Sequence, residues 1–149
     1  MPKNFNGNPA IILLVEDNDA DVRLTQEALL DGKINNQIHR VENGIDALAF
    51  LRHEAPYEDS PRPDIILLDL NMPRMDGREL LKIINDDPAL SIIPVIVLTT
   101  SEAEQDISKS YALRANCYIS KPVDYQNFTE VVRSIEQFWF SIVRLPEPN

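Results

Sequence analysis

With 149 residues, 44% of them hydrophobic, the chain has enough apolar material for one core, and 26% charged residues suit a single globular unit. A formal net charge of −10 with no run of Lys and Arg excludes the basic footprint that direct nucleic-acid binding needs. No stretch approaches the roughly 18 uninterrupted apolar residues of a membrane span, and the opening MPKNFNGNP lacks the apolar core of a secretory signal, so a cytoplasmic protein with no membrane partner is expected.

In chain order, residues 1–9 are polar and read as a flexible N-terminus. Residues 10–15 are apolar in succession, which suits a strand buried on both faces of a parallel sheet. Helical spacing follows over 19–30, with Asn18 or Asp19 placed to cap it. Residues 37–41 make a half-apolar strand and 44–54 a second helix. The segment APYEDSPRP, 55–63, holds three prolines and predicts an extended surface loop.

Further strands are expected at 65–68, 95–98 and, more weakly, 117–119, with helices over 77–85, 102–114 and 125–143. In the last helix Phe128, Val131, Val132, Ile135, Trp139 and Ile142 step by threes and fours, one apolar stripe for packing on a sheet. The tail LPEPN cannot continue it, because an interior proline loses a backbone hydrogen bond. Cys117 is the one cysteine, so no internal disulfide is available, and it reads as a small buried strand residue.

Strand and helix thus alternate five times, the pattern of an α/β fold with a doubly wound parallel sheet, helices on both faces and right-handed crossovers. One unit over 10–143 is expected, with a tail at 144–149 and no attached output domain.

In such a sheet the ligand site lies beyond the carboxyl ends of the strands. The residues that follow the apolar runs are Glu16 and Asp17, Asp69, Thr99 and Lys121. Singly, an acidic residue there can equally be a helix cap or a solvated loop residue. Together they bring three carboxylates, a hydroxyl and an ammonium to one edge. Two carboxylates about 4 Å apart repel by roughly 4 kcal/mol at an effective dielectric of 20, a large fraction of a domain stability of about 5 to 15 kcal/mol. A cation is needed to offset this, and hard oxygen ligands favour Mg2+ or Mn2+. His39 and His53 sit in unrelated segments and offer no zinc cluster. With the charge of a transferring phosphoryl group neutralised, a carboxylate is a competent acceptor, and Asp69 follows the third, central strand.

The segments LLVED (13–17), LLDLNMPRMDG (67–77), PVIVLTTS (94–101) and CYISKP (117–122), in this order and spacing, resemble the receiver domain of two-component response regulators over about residues 10–143. The resemblance implies a flavodoxin-like sheet of five strands, order 2-1-3-4-5, with five helices. It implies Asp69 as phosphoacceptor, Asp17 as a metal ligand, Glu16 as the other acidic member, and the backbone carbonyl of Asn71 as a further ligand. Thr99 and Lys121 would grip the phosphoryl group, with the Lys121–Pro122 bond cis, and Thr99 would couple to Tyr118 as a switch. Asn71 and Ser101 would tune dephosphorylation. The acidic pair is Glu-Asp where many members have Asp-Asp.

The insertion HEAPYEDSPRP and the ending FWFSIVRLP look like the single-domain regulators paired with cyanobacterial phytochromes, which implies a histidine kinase as donor. On the last helix Phe140 falls off the apolar stripe and Phe138 lies at its edge, a homodimer contact in expectation. Two rivals stand beside this reading. A phosphohydrolase with an aspartate nucleophile would carry an acid two residues after Asp69, where Asn71 stands, and an amide cannot serve as a general acid. The other rival is a receiver-like binding module that is never phosphorylated, although nothing essential is missing from its motifs.

Overall fold

The computed structural model describes residues 10–31, 36–70, 75, 77–100 and 117–121, with only the backbone of 10, 28–31, 36, 99–100 and 117–121. Among the described residues, five strands and three helices follow in this order: β1 (Ala10–Val15), α1 (Asp19–Asp31), β2 (Asn36–Val41), α2 (Gly44–Leu51), β3 (Ile65–Asp69), α3 (Gly77–Asp86), β4 (Val95–Thr100) and β5 (Cys117–Lys121). The expected helices at 102–114 and 125–143, and with them Phe138, Phe140 and the tail 144–149, lie outside the described residues.

All strand pairs are parallel and the sheet runs β2-β1-β3-β4-β5, as the alternation and the family resemblance implied. Its middle is dry. Ile12 to Val15 and Ile65 to Leu68 are each at most 1% exposed, which explains why these strands are apolar on every residue. Each fully buried Leu or Ile contributes about 2 kcal/mol of transfer free energy.

Side chains alternate between the two faces. Leu13, Val15, Val41, Ile66, Leu68, Val95 and Val97 share one face, where they pack with Ala47, Leu48, Phe50 and Leu51 of α2 and Leu80, Leu81 and Ile84 of α3. Leu14 and its partner Arg40 therefore point to the other face. Arg40 meets Asp19, the first residue of α1, so α1 lies against that second face and buries Val22 and Thr25.

Caps set the helix starts. Asn18 Oδ1 accepts the Asp21 N–H at 3.0 Å, so Asn18 rather than Asp19 caps α1. Asn43 does the same for α2 through the Asp46 N–H at 2.9 Å. Helix α2 ends three residues before the expected Glu54. Arg52 is its C-cap and His53 takes φ 58°, a left-handed conformation that stops the helix although the helical spacing runs on.

The 55–63 segment is also more ordered than an extended surface loop. Tyr57 and Ser60 N–H groups close turns on Glu54 and Tyr57 carbonyls, and Ser60 Oγ donates to the Phe50 carbonyl at 2.7 Å. Tyr57 packs on the core with its ring 5.6 Å from that of Phe50, whose other neighbour is the His39 ring at 5.5 Å. His39 is thus a packed strand residue and His53 a helix-end residue.

Candidate functional site

Strand register builds the site. Val15 pairs with Leu68, so the next residues along, Glu16 and Asp69, stand side by side at the carboxyl end of the sheet. Asp17 follows on the same edge. Carboxylate oxygens of Glu16, Asp17 and Asp69 all lie within 4.8 Å of one another, with Glu16 0% and Asp69 2% exposed and Asp17 open to solvent. Asp69 is the last residue of β3 rather than the first of the loop, so its backbone is fixed by the sheet.

The remaining strand ends arrive on this edge as expected. Asp69 pairs with Leu98, and Thr99 is the next residue of β4. Lys121 ends β5 opposite Thr100, and Tyr118 pairs with Val97. Asn71, Ser101 and the Lys121–Pro122 bond lie outside the described residues.

The turn that carries Asp17 is tied on both sides. Glu16 donates its N–H to the Val41 carbonyl at 3.0 Å, and its Oε2 accepts the Asn18 N–H at 3.3 Å. Arg40, from β2, donates through Nε to the Glu16 carbonyl at 2.9 Å and places a terminal nitrogen 2.9 Å from Asp19 Oδ1. Sequence reading missed Arg40, because the contact spans β1 and β2 and depends on their register.

Two glycines let the chain close around Asp69. A Cβ at Gly77 would collide with the Asp69 carbonyl oxygen and lie 2.6 Å from Leu70 Cα; in the fold, the Gly77 N–H donates to the Leu70 carbonyl at 3.0 Å. A Cβ at Gly44 would meet the Met75 carbonyl oxygen at 2.7 Å, where the Gly44 N–H donates at 3.1 Å. Met75 is thereby held to the start of α2, and Gly77 against the end of β3. Gly77 closes the motif LLDLNMPRMDG, but the close approach that demands it is visible only in three dimensions.

A pair of unit charges 4.8 Å apart repels by about 3 kcal/mol at an effective dielectric near 20. Two buried carboxylates and an exposed third, all hard oxygen donors, fit a small divalent cation that keeps part of its water shell, so the cluster passes on donor type and spacing. Bound there, such an ion supplies positive charge against the oxygens of an incoming phosphoryl group.

Comparison with known proteins agrees with this site. The model of the response regulator receiver domain family matches residues 12–133. Response regulator Rcp1 of Synechocystis is 48% identical over 138 residues, spanning 93% of this chain and 94% of the relative. Among solved structures, the phosphorylated cyanobacterial phytochrome response regulator RcpA superposes with a TM-score of 0.78 at 48% identity, covering 93% of this chain and 99% of that one. The Mn2+-bound form of Rcp1 superposes with a TM-score of 0.77 at 47% identity, covering 93% and 100%. The chain belongs to the response regulator receiver family, the signalling class whose flavodoxin-like fold its sheet reproduces. Within that class it is similar over nearly its whole length to response regulator Rcp1 and to the cyanobacterial phytochrome response regulator RcpA.

Proposed function

We propose that this chain is a phosphorylation switch in which Asp69 accepts a phosphoryl group from a histidine kinase of the phytochrome type, with Mg2+ or Mn2+ held by Glu16, Asp17 and Asp69. The observation that carries the reading is the convergence of these three carboxylates within 4.8 Å at the carboxyl end of a parallel sheet. A phosphorylated and a Mn2+-bound structure among relatives that share 47 to 48% of its sequence support it.

An Asp69 carboxylate oxygen attacks phosphorus in line; a new O–P bond forms, the bond to the donor nitrogen breaks, and the donor leaves with that electron pair. Nearly complete burial keeps the reacting oxygen within a low-dielectric pocket, where positive charge acts strongly. Thr99 and Lys121 hold the phosphoryl oxygens from β4 and β5, and the backbone carbonyl of Asn71 completes the metal's protein ligands. Reorientation of Thr99 frees space that Tyr118 fills, which passes the change to the outer strand. Asn71 and Ser101 set the rate at which water removes the phosphoryl group.

The receiver unit runs over 10–143. Likeness to RcpA, a cyanobacterial phytochrome response regulator, supports a phytochrome-type kinase as donor, and a cytoplasmic location suits such a donor. Phe138 and Phe140 supply a homodimer contact, and Phe140→Glu is expected to give monomer mass in solution; an unchanged dimer mass counts against that contact.

Incubation with acetyl phosphate and Mg2+, read by intact mass, tests the main reading. One phosphoryl adduct on the wild type, lost with a chelator and lost in Asp69→Asn, is expected. A wild type that gains nothing, or an Asp69→Asn chain that still gains the adduct, overturns it. Steady phosphate release from a general phosphomonoester would instead indicate a hydrolase.

A further inference from the structure

We propose that Arg40 is a positioning residue for the metal site, its guanidinium bracing the β1–α1 turn so that Asp17 is presented to the cation. The proposal rests on the reading of Glu16, Asp17 and Asp69 as metal ligands.

Asp17 is the exposed member of the cluster, and an exposed carboxylate on an untethered turn loses conformational freedom when it ligates an ion. Here that freedom is restricted beforehand. Arg40 Nε holds the Glu16 carbonyl, the residue immediately before Asp17, at 2.9 Å. The same guanidinium pairs with Asp19, two residues after it, at 2.9 Å. A second carboxylate, Glu42, stands 4.0 Å from its remaining nitrogen. The Arg40 side chain is only 24% exposed, whereas its partner Asp19 is 86% exposed, so the bond to the Glu16 carbonyl is the packed half of the brace and the Asp19 pair the solvated half.

The geometry requires arginine. Nε donates to the Glu16 carbonyl while Nη2 lies 2.9 Å from Asp19 as an ion pair outside hydrogen-bond geometry, two contacts from one planar group, whereas a lysine ammonium is a single point on a flexible stem. Arg40 also carries a positive charge, and that charge acts against its bracing role: charge near the cluster repels a cation, while a fixed turn favours it. These contributions have opposite signs, so substitutions separate them.

Calorimetric titration of the full chain with Mg2+ alone, on wild type, Arg40→Lys and Arg40→Gln, provides the test, with metal-free melting curves alongside. Arg40→Lys keeps the charge and the apolar stem, so it remains informative if Arg40→Gln fails to fold. Both variants are expected to raise the Mg2+ Kd roughly tenfold or more, Arg40→Lys nearly as much as Arg40→Gln. A wild-type Kd in Arg40→Lys, or tighter binding in Arg40→Gln, overturns the proposal and leaves the charge as the whole effect. Lowered melting temperatures with unchanged Kd also overturn it, because the role is then only structural. Absence of any Mg2+ binding by the wild type overturns the cluster reading and the proposal with it, whereas failure of the Arg40 variants alone leaves the cluster intact.

Discussion

The two ends of the parallel sheet place acidic side chains in opposite circumstances. At the amino end, Asp64 closes the β1–β3 ladder: its N–H donates to the Ile11 carbonyl and its Oδ2 accepts the Ile11 N–H, both at 2.7 Å. At the carboxyl end, Glu16, Asp17 and Asp69 crowd within 4.8 Å. One carboxylate finishes a strand pairing and the other three concentrate charge. The first completes a backbone pairing at a small cost of burial, and the second costs more until a cation arrives.

The largest expected effect comes from the backbone that shapes the carboxyl end. Gly77→Ala forces a methyl against the Asp69 carbonyl and Leu70 Cα, neither of which can move without moving the end of β3. A loss of about 3 kcal/mol is expected, lowering the melting temperature by roughly 6 to 12 °C, with acetyl phosphate labelling slowed as well. If labelling and stability both match the wild type, the close approach of Gly77 to Asp69 is not required.

Next in size is the metal. Mg2+ at about a hundred times its Kd adds roughly 2.7 kcal/mol of stability, seen as a rise in melting temperature. A melting point indifferent to Mg2+ would erase the contrast between the two ends. Gly44→Ala ranks lower. Its methyl meets Met75, at an overpacking cost of about 2 kcal/mol, but alanine recovers about 1 kcal/mol of helix propensity, for a net loss of about 1 kcal/mol in thermal melts.

Asp17→Asn sharpens the comparison because its two effects diverge. Without metal it relieves repulsion and raises the melting temperature by about 2 to 4 °C, while in calorimetry it weakens Mg2+ binding. Destabilisation of the metal-free chain would show that Asp17 is structural. The smallest effect belongs to Asp64. Burial pushes its carboxyl above the usual range, against the lowering influence of the Ile11 N–H and Arg62. A carboxyl whose folded pKa is raised holds more protons when folded, so its contribution to stability falls as pH rises through that window. Asp64→Asn is therefore expected to exceed the wild type slightly at neutral pH, by less than about 1 kcal/mol, with the gap closing as pH falls to the ordinary carboxylate value. A gap that widens in acid would reverse the assigned sign.

Much of this architecture was readable in the chain because buried parallel strands write a local signal: consecutive apolar residues, as in 65–68, ended by a polar residue at the site edge. That is why Glu16, Asp17, Asp69, Thr99 and Lys121 could be assigned to one edge before any coordinates. The end of α2 was not readable, since Arg52 and His53 continue a helical pattern that a left-handed backbone at His53 interrupts. Arg40 was hidden for another reason. Its partners are Glu16 and Asp19, and only the pairing of Leu14 with Arg40 brings them together. The packing of Tyr57 on Phe50 likewise turns the proline-rich segment from a loop into a cover for the core.

The central claim is that Asp69 carries the phosphoryl group. After incubation with acetyl phosphate and Mg2+, borohydride reduction converts an aspartyl phosphate to homoserine, and peptide mass analysis locates it. Homoserine at position 69, and only when Mg2+ is present, is expected; homoserine at another aspartate, or none on a chain shown to be folded and Mg2+-bound, would contradict the assignment of Asp69.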